Sequence, residues 1–434
     1  MLSLHVSNNK CNLIYLYVLK ILSREIFEFK SNLILRIVEN SNMNSITFTK
    51  HSENQHSNEK TLLFLVTEDW YFCSHRMSLA IAAKKAGYKV FVATRVTDER
   101  YVTLINEAGI TLLALKKMTR GGKNPFVELG VIVEIMKIYR ALKPDIIHHV
   151  AIKGVLYGSI SAKLTRMKAT VNALAGLGHI FVSRQFIIKI LRSFIIILFK
   201  ISFRGLKVRF IFQNPDDQKL FIDFKLADIR DCYLIKGSGV DIDKFKPGKE
   251  KTGTQTIILA ARMLWYKGVG ELVEASRILK SKGLKFRVIL VGEPDLQNPN
   301  TISKEQLQSW HDENIVEWLG FREDMVNLYS QSDIAVLPSY YGEGVPKVLI
   351  EAAAMELPII TTQMPGCSEI VRNGINGLLV KPKDIPALAD AMEKLISDEH
   401  QRQKLGRAGR KIVREEFEES IVTSATLELY NTLL

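Results

Sequence analysis

From Thr61 onward the sequence alternates between apolar runs of strand length and amphipathic segments of helix length, and this alternation constrains the fold most strongly. It is typical of βαβ units, in which helices cover both faces of a parallel sheet. The first series predicts strands at residues 62–67, 89–93, 146–150 and 168–173, a loop at 68–74 and a helix at 77–86. The second predicts strands at residues 256–260, 286–291, 316–319, 334–338, 359–362 and 378–380, with helices that include 269–282 and 347–355. The expected class is therefore α/β, with two doubly wound, Rossmann-like sheets.

A turn-rich segment at residues 237–248, GSGVDIDKFKPG, separates the two series and is interpreted as an interdomain linker. Because 434 residues are more than one ordinary core needs, we expect two domains, 61–240 and 241–415, with a ligand cleft between them. Residues 416–434 are predicted to form a final amphipathic helix. Residues 1–60 are interpreted as a poorly ordered extension, since residues 40–60 are polar and rich in Asn and Ser; one hypothesis places the start of translation at Met43 rather than Met1.

Several functional classes lack their sequence signatures. No G-x-G-x-x-G follows a first strand and no G-x-x-x-x-G-K-[ST] occurs, which weighs against dehydrogenases and P-loop nucleotidases. The four cysteines are far apart and form no CxxC pair, so neither a disulfide framework nor a zinc site is indicated, and a reducing cytoplasm fits. The net charge of +13 favours an anionic partner, such as a membrane surface or phosphorylated ligands, but no nucleic-acid-binding module is recognisable.

Two glutamates follow the apolar strand expected at 334–338. Glu343 lies in a loop, and Glu351 lies eight residues further on, about two turns into a helix that begins near Pro346. Gly344 lets a ligand approach the backbone, and the N-terminus of the helix offers N–H groups to a phosphate. The alternative is that both glutamates are ordinary surface charges, but the Ala352–Ala354 run favours a packed helix face. The pattern indicates a site for a sugar and a diphosphate.

Two cations, Arg262 and Lys267, follow the first strand of the second series in the segment ARMLWYKG. A guanidinium can bind a diphosphate through two N–H groups, and an ammonium acts as a point charge. Together they can stabilise a departing diphosphate, which is the task that a metal performs elsewhere. The alternative is a pair of exposed basic residues in a turn.

These segments together resemble glycosyltransferase family 4, retaining enzymes with two facing Rossmann-like domains in the GT-B architecture. The resemblance runs from Thr61 to the C-terminus and is closest to the bacterial branch that assembles surface polysaccharides or lipid-linked oligosaccharides. It is carried, in the second series, by ARMLWYKG, VGEPDLQNP, VEWLGFREDM, DIAVLPSYYGEGVPKVLIEAAAMELPIITTQMPGCSEIV and NGLLV. In the first series it is carried by FCSHRMSLAIAAKKAGYKVFVAT, PDIIHHVAIKGVLYGS and NALAGLGHIF.

The resemblance implies roles for residues at matching positions. It assigns Arg262 and Lys267 to the donor diphosphate and Glu343 to the donor sugar, and we take these three as the catalytic residues. It also implies donor contacts at three places: the ribose at Glu351, the phosphate-facing helix start at Gly344, Val345 and Pro346, and the nucleotide base at Arg322. No metal or other cofactor is expected, and the final helix is expected to cross back onto the first domain.

The first domain departs from the pattern of the family. Many members carry Gly-Gly after the first strand, where this chain has residues 69–75, DWYFCSH, and many carry His-Gly where Ala175 and Gly176 stand. By location alone, the candidates on the acceptor side are His75, His149 and Lys153, and the alternative for each is a structural role.

The expected reaction transfers a hexose or N-acetylhexosamine from a nucleotide diphosphate sugar, with UDP as the expected nucleotide, to a saccharide or lipid-linked acceptor. Attack from the face that the diphosphate leaves would retain the anomeric configuration, with the leaving phosphate taking the acceptor proton. The alternatives are a sugar-nucleotide epimerase or phosphorylase of the same fold, or a noncatalytic membrane-associated binding protein.

The segment at residues 184–209 mixes many apolar residues with seven cations and no acidic residue. A basic, apolar helix suits the headgroup region of an anionic membrane, and its interspersed cations weigh against a membrane span. We therefore expect peripheral attachment at the cytoplasmic face of the inner membrane and a polyprenyl-diphosphate-linked acceptor. The alternative is a helix packed on the first sheet with its cations in solvent.

Overall fold

The computed structural model of the chain describes residues 59–121, 124–178, 181, 186–248 and 253–434. The predicted extension up to residue 58, with the hypothesis on Met43, lies outside the described residues, as do residues 184 and 185 of the basic segment.

The first sheet has seven parallel strands in the order β3-β2-β1-β4-β5-β6-β7. The strands are β1 Thr61–Glu68, β2 Lys89–Arg95, β3 Thr111–Ala114, β4 Ile146–Val150, β5 Ala169–Leu174, β6 Lys207–Phe212 and β7 Cys232–Leu234. The helices are α1 Asp69–His75, α2 Met77–Lys85, α3 Glu99–Glu107, α4 Pro125–Leu142, α5 Ala151–Thr165, α6 Phe186–Phe203 and α7 Pro215–Asp223.

Both faces of this sheet are buried. Along β1, Leu62 and Phe64 join one apolar cluster, whereas Leu63 and Leu65 join another on the opposite face. Side chains alternate between the faces of a strand, so a central parallel strand covered by helices on both sides reads as an unbroken apolar run.

The second sheet has six parallel strands in the order β10-β9-β8-β11-β12-β13. The strands are β8 Thr256–Ala260, β9 Arg287–Val291, β10 Glu317–Trp318, β11 Ile334–Leu337, β12 Ile359–Thr362 and β13 Gly377–Val380. The helices are α8 Val269–Ser281, α9 Lys304–Asp312, α10 Met325–Ser330, α11 Lys347–Ala354, α12 Cys367–Ile370, α13 Ile385–Ser397, α14 Glu399–Ile412 and α15 Glu419–Asn431.

The predicted α/β class with two doubly wound sheets is confirmed, whereas some element assignments were wrong. The loop expected at 68–74 is mostly helix α1, because the buried Asp69 anchors its first turn: one carboxylate oxygen accepts the Trp70 N–H at 2.8 Å and the other the Thr97 N–H at 2.6 Å. Strands β3, β6 and β7 were not predicted. The basic segment at 184–209 is not one helix, since Lys207 already begins β6.

The last helix, α15, packs against the first sheet. Its Leu429 and Tyr430 belong to the same apolar cluster as Leu62 and Phe64 of β1. The Tyr430 hydroxyl lies 2.6 Å from Nδ1 of His148 in β4. After the chain has formed the second sheet, it therefore returns to the first sheet and completes its core.

Candidate active site

Each sheet has a switch point, at which the chain's winding direction reverses: between β1 and β4 in the first sheet and between β8 and β11 in the second. The loops that follow two such strands diverge and leave a crevice at the carboxyl edge of the sheet. Arg262 and Lys267 follow β8, and Glu343 follows β11. Three of the predicted residues therefore lie at the switch point of the second sheet.

Lys267 and Glu343 form an ion pair at this switch point. The ammonium of Lys267 contacts Oε2 of Glu343, and the Ser339 hydroxyl donates a hydrogen bond to Oε1 at 3.2 Å. The two side chains are only 11% and 23% exposed, so the pair is screened less by solvent than a surface ion pair would be. Burial, reinforced by the charge of Glu343, raises the pKa of the neighbouring Cys367 thiol to about 12, which keeps that thiol neutral at physiological pH.

A glycine makes this placement of Lys267 possible. Gly268 has φ of 78°, and a Cβ at this position would lie 2.2 Å from the carbonyl oxygen of Pro338 at the end of β11. The backbones of the two loops also bond directly, since the Tyr340 N–H donates to the Tyr266 carbonyl at 3.0 Å. Gly268 thus lets the loop after β8 contact Pro338, the residue that directly follows β11.

The loop that carries Glu343 also packs against the first sheet's side of the molecule. The Val345 N–H donates to Oε1 of Gln213 at 3.0 Å, and the Asn214 amide donates to the Glu343 carbonyl at 3.3 Å. Gly344 has no room for a side chain, since a Cβ there would lie 2.0 Å from the same Gln213 oxygen. Gln213, which the sequence did not reveal, therefore occupies the backbone N–H that a phosphate could otherwise bind at Val345.

Ala175 and Gly176 adjoin the same loop from the first sheet's side. Gly176 has φ of 97°, and a Cβ there would lie 3.0 Å from the Glu343 Cα and from the Gly344 nitrogen. Because Ala175 has no titratable side chain, this position supplies no acid or base to the cleft.

Helix α11 begins after Pro346, as predicted, and carries Glu351 on a buried face. Burial raises the pKa of Glu351 to about 7, although the positive charges of Lys347 and Lys244 and a hydrogen bond with Tyr329 act in the opposite direction. Nζ of Lys347 lies 3.9 Å from Oε1 of Glu351. Glu351 is therefore a buried residue of α11 whose carboxyl changes charge near neutral pH.

Arg262 is held by a carboxylate that the sequence did not single out. Its Nη1 lies 2.6 Å from Oδ2 of Asp295, and Nη1 of Arg120, from the first sheet's side, lies 3.1 Å from the same oxygen. Asp295 follows β9 in the VGEPD segment, a position at the carboxyl edge of the sheet that could have indicated it. Nothing in the sequence near Arg120 indicated a contact with the second sheet's loops.

Arg322 pairs with Asp324 and not with Lys267 or Glu343. Its guanidinium binds Asp324 through two hydrogen bonds, at 2.8 and 2.7 Å, and the side chain is 41% exposed. These bonds lower the pKa of Asp324 to about 2. Arg322 remains a prediction for the nucleotide base.

Of the acceptor-side candidates, His75 lies beside the cleft. Its ring stacks on Tyr71 with centroids 4.2 Å apart, and its Nδ1 lies 2.6 Å from the Ser74 hydroxyl. Lys347, from the start of α11, donates to the Ser74 carbonyl. Burial, together with the charges of Lys347 and Arg76, holds the pKa of His75 well below its usual range, so the ring is neutral at physiological pH.

Lys153 is engaged within the first sheet's side. Its ammonium lies 3.0 Å from Oε2 of Glu128, contacts the Thr119 carbonyl and lies over the Tyr157 ring at 5.4 Å. The structure therefore pairs Lys153 with helix α4 and not with the Glu343 loop.

His149 does not reach the cleft. The residue is fully buried, its Nε2 lies 2.9 Å from the Tyr139 hydroxyl, and its Nδ1 lies 2.7 Å from Oδ1 of Asn172. Gly158 in α5 leaves room for the ring, since a Cβ there would lie 2.3 Å from its Cδ2. Burial lowers the pKa of His149 to about 4. An acceptor cannot contact this ring in the observed conformation, so the placement of His149 at the acceptor side is corrected to a core position.

Helix α6 exposes apolar side chains to solvent. Ile190, Leu191 and Phe194 are 40%, 46% and 47% exposed, whereas Phe199 on the same helix is fully buried against the first sheet. Within the described part of the chain, no helix combines the length and apolar character that crossing a membrane requires.

Two family models match the chain. Residues 241–412 match the model described as "Glycosyl transferases group 1", and residues 61–214 match "Glycosyl transferase 4-like". The match at 241–412 begins within the segment that joins the two sheets, whereas the match at 61–214 ends before α7 and β7.

Curated relatives align over most of the chain. It is 29% identical over 372 residues to the N,N'-diacetylbacillosaminyl-diphospho-undecaprenol alpha-1,3-N-acetylgalactosaminyltransferase of Campylobacter jejuni, covering 83% of this chain and 95% of that protein. It is 26% identical to the capsular polysaccharide biosynthesis glycosyltransferase CapM of Staphylococcus aureus, covering 71% and 82%. It is 24% identical to an Escherichia coli UDP-Gal:alpha-D-GlcNAc-diphosphoundecaprenol alpha-1,3-galactosyltransferase, covering 62% and 71%.

Solved structures share the fold. A glycosyltransferase from Rickettsia africae superposes with a TM-score of 0.67 at 22% identity, covering 87% of this chain and 99% of that one. Anabaena HepE in complex with UDP superposes with a TM-score of 0.67 at 18% identity, covering 86% and 100%.

Proposed function

The chain belongs to the family 4-like glycosyltransferases of the GT-B fold, and from that premise we propose that it is a retaining enzyme that transfers a hexose or N-acetylhexosamine from a UDP-sugar. The proposed acceptor is a polyprenyl-diphosphate-linked or other saccharide in the biosynthesis of a cell-surface glycan. The names of the relatives support the class of acceptor, since two of them act on diphosphoundecaprenol-linked sugars. One of those names also specifies a UDP-sugar donor.

The observation that carries this proposal is the ion pair of Lys267 and Glu343 at the switch point of the second sheet, where Arg262 also follows β8. Glu343 supplies carboxylate oxygens that can accept hydrogen bonds from sugar hydroxyls, while Lys267 and Arg262 supply positive charge to a diphosphate. Glu343 would bind the sugar and Lys267 its diphosphate leaving group. Because these two side chains form an ion pair, the two parts of the donor would be bound by adjacent residues.

In the proposed mechanism, the acceptor hydroxyl attacks the anomeric carbon from the face that the diphosphate leaves. The bond from that carbon to the diphosphate oxygen breaks, the new glycosidic bond forms, and the departing oxygen takes the acceptor proton. Lys267 and Arg262 stabilise the negative charge that grows on the diphosphate. Glu343, whose carboxylate is held in place by Lys267 and Ser339, orients the sugar and forms no covalent bond in this mechanism.

These side chains supply positive charge themselves, so we propose that the reaction requires no metal ion. Treatment with EDTA followed by dialysis is then expected to leave the rate unchanged. A loss of activity that Mg²⁺ or Mn²⁺ restores would contradict this part of the proposal.

We further propose that the enzyme works at the cytoplasmic face of the inner membrane, attached through helix α6. Support comes from the exposed Ile190, Leu191 and Phe194 together with the cations of the helix, Lys189, Arg192 and Lys200. Apolar side chains flanked by cations suit the headgroup region of an anionic leaflet. Attachment there would place the enzyme on the leaflet that holds a polyprenyl-linked acceptor.

The test is a donor screen with the full-length protein. UDP-, GDP- and CDP-sugars are incubated with and without a polyprenyl-diphosphate-linked N-acetylhexosamine, and the released nucleotide and the product are measured. We expect transfer from a UDP-sugar, with an α-linked product from an α-linked donor by NMR. An inverted product would contradict retention, turnover without an acceptor would favour an epimerase, consumption of free phosphate would favour a phosphorylase, and the absence of donor binding would favour a noncatalytic protein.

A further inference from the structure

Arg120 lies in the segment between β3 and α4, on the first sheet's side of the cleft, yet its guanidinium reaches the second sheet's side. Its Nη1 is 3.1 Å from Oδ2 of Asp295, and Nη1 of Arg262 is 2.6 Å from the same oxygen. One carboxylate oxygen thus holds two guanidinium groups that come from opposite sides of the cleft.

The exposure of these three side chains differs. Asp295 is 9% exposed, whereas Arg262 and Arg120 are 38% and 28% exposed. The negative charge is covered and the two positive charges face outward. A guanidinium carries five N–H donors, and Asp295 engages Nη1 of each, so both groups keep donors that can bind an anion.

A second carboxylate holds Arg120 from the first sheet's side. Its Nε lies 3.5 Å from Oε2 of Glu68 at the end of β1, and its guanidinium lies 5.5 Å from the centre of the Trp70 ring. The Trp70 indole N–H donates to the same Glu68 oxygen at 2.6 Å, and Arg95 lies 3.6 Å from the other Glu68 oxygen. Arg120 is therefore held from both sides of the cleft and is not a freely moving surface side chain.

We infer that Arg120 is a third cation of the diphosphate site, and that Asp295 is a positioning residue that holds Arg120 beside Arg262. This inference rests on the proposed function. Two guanidinium groups side by side repel each other, and Asp295 offsets that repulsion while the cleft is empty of substrate. A diphosphate carries enough negative charge and enough acceptor oxygens to bind both groups at once.

The same chemistry occurs in the donor and in a polyprenyl-diphosphate-linked acceptor, and the experiment separates the two sources. The full-length Arg120→Gln variant is titrated with UDP by calorimetry, and its kinetics are measured with a UDP-sugar and a polyprenyl-diphosphate-linked N-acetylhexosamine. The loss of a charge-assisted hydrogen bond is worth about tenfold in affinity. If Arg120 binds the donor, the Kd for UDP rises about tenfold. If it binds the acceptor, the Kd for UDP is unchanged and the acceptor KM rises about tenfold.

Either of these results supports the inference, and two unchanged constants overturn it. If the unaltered protein binds none of UDP, GDP and CDP, the proposed function is wrong, and the inference that rests on it is wrong too. If the unaltered protein binds a nucleoside diphosphate but Arg120→Gln changes neither constant, only the inference is wrong. Arg120→Lys, which keeps the charge, should recover part of the loss and shows whether the Gln variant has merely unfolded.

A double-mutant cycle tests the role of Asp295. In an Asp295→Ala background, Arg120→Gln is expected to change the affected constant less than twofold, because Arg120 is no longer held beside Arg262. An undiminished effect of Arg120→Gln in that background would contradict the positioning role. The matched control is Arg100→Gln, since Arg100 lies 2.8 Å from Glu323 in a highly exposed ion pair that also joins the two sides of the molecule. This control should leave the UDP Kd and the acceptor KM unchanged.

Discussion

Lys267 and Glu343 are 76 residues apart in the sequence, and their side chains form an ion pair between the loops that follow β8 and β11. The pair joins a cation suited to a diphosphate to a carboxylate suited to a sugar. The adjacency of the two side chains matters because the diphosphate of a glycosyl donor is bonded directly to the anomeric carbon of the sugar.

We expect Lys267→Met and Glu343→Gln each to lower kcat/KM by about 100-fold or more, the scale observed when one electrostatic contact to a transition state is removed. The double variant should lose less than the product of the two single losses, because the residues act as a pair. The measurement is steady-state transfer, with circular dichroism to verify folding. As a matched control, Lys282→Met breaks an exposed pair with Glu393 at 2.6 Å and should retain nearly full activity. Near-normal activity of Lys267→Met would contradict the proposed site.

Gly268→Ala is expected to destabilise the protein by about 3 kcal/mol or more, since a Cβ would meet the Pro338 carbonyl in addition to the cost of a left-handed backbone. Gly283→Ala is the matched control, because Gly283 has φ of 85° and no atom within 4 Å of the position that a Cβ would take. It should cost only about 1 kcal/mol. Urea unfolding of both variants measures the difference. Equal losses would show that the contact of Gly268 with Pro338 does not matter.

Glu351 should make both stability and nucleotide binding depend on pH. Its native pKa of about 7 lies above its ordinary value of 4.5, so the native state binds a proton more tightly than the unfolded state does. The resulting stabilisation, on the order of 3 kcal/mol, is fully present below pH 4.5 and is lost as the pH rises through 7. Glu351→Gln should abolish this part of the pH dependence of the free energy of unfolding.

Nucleotide binding should respond in the opposite direction. An ionised Glu351 accepts hydrogen bonds from ribose hydroxyls better than a neutral carboxyl does, so UDP affinity should rise between pH 6 and 8 more in the unaltered protein than in Glu351→Gln. The difference between the two titrations removes the contribution of the phosphate's own ionisation. Parallel titration curves would refute a role for Glu351 in nucleotide binding.

Replacement of Leu191 or Phe194 by Glu should reduce flotation with anionic liposomes by about tenfold, because each exposed side chain would otherwise bury apolar surface in the headgroup region. Leu296→Glu is the control, since Leu296 is 85% exposed but lies in the second sheet's side of the molecule. It should not alter flotation. An equal reduction by all three variants would indicate a general effect of added negative charge and contradict attachment through helix α6.

Much of the architecture could be predicted because strand-forming apolar runs are local. The strands at 146–150, 256–260 and 359–362 match the structure at both ends, and the helix after Pro346 begins where proline permits. Helix α1 was not predicted because Asp69, which stabilises its first turn, accepts a hydrogen bond from the hydroxyl of Thr97, a residue 28 positions away in the sequence. Local propensity does not contain that contact.

The core position of His149 shows a second limit. Every residue of β4 is buried, so the sequence HH offers no polar face from which to choose the side that meets the cleft. Alternation sends His148 toward Tyr430 and His149 toward Tyr139. The contacts of Arg120, Asp295 and Gln213 could not be predicted either, because they depend on how the loops of one sheet meet those of the other.

The return of α15 to the first sheet also governs the order in which the protein can fold on the ribosome. Tyr430 fills the same apolar cluster as β1, although it is synthesised more than three hundred residues later. In the nascent chain, part of one face of the first sheet therefore stays uncovered until residues 419–431 have emerged from the ribosome. A chaperone that shields this face during synthesis would meet the surface that Leu429 and Tyr430 later cover.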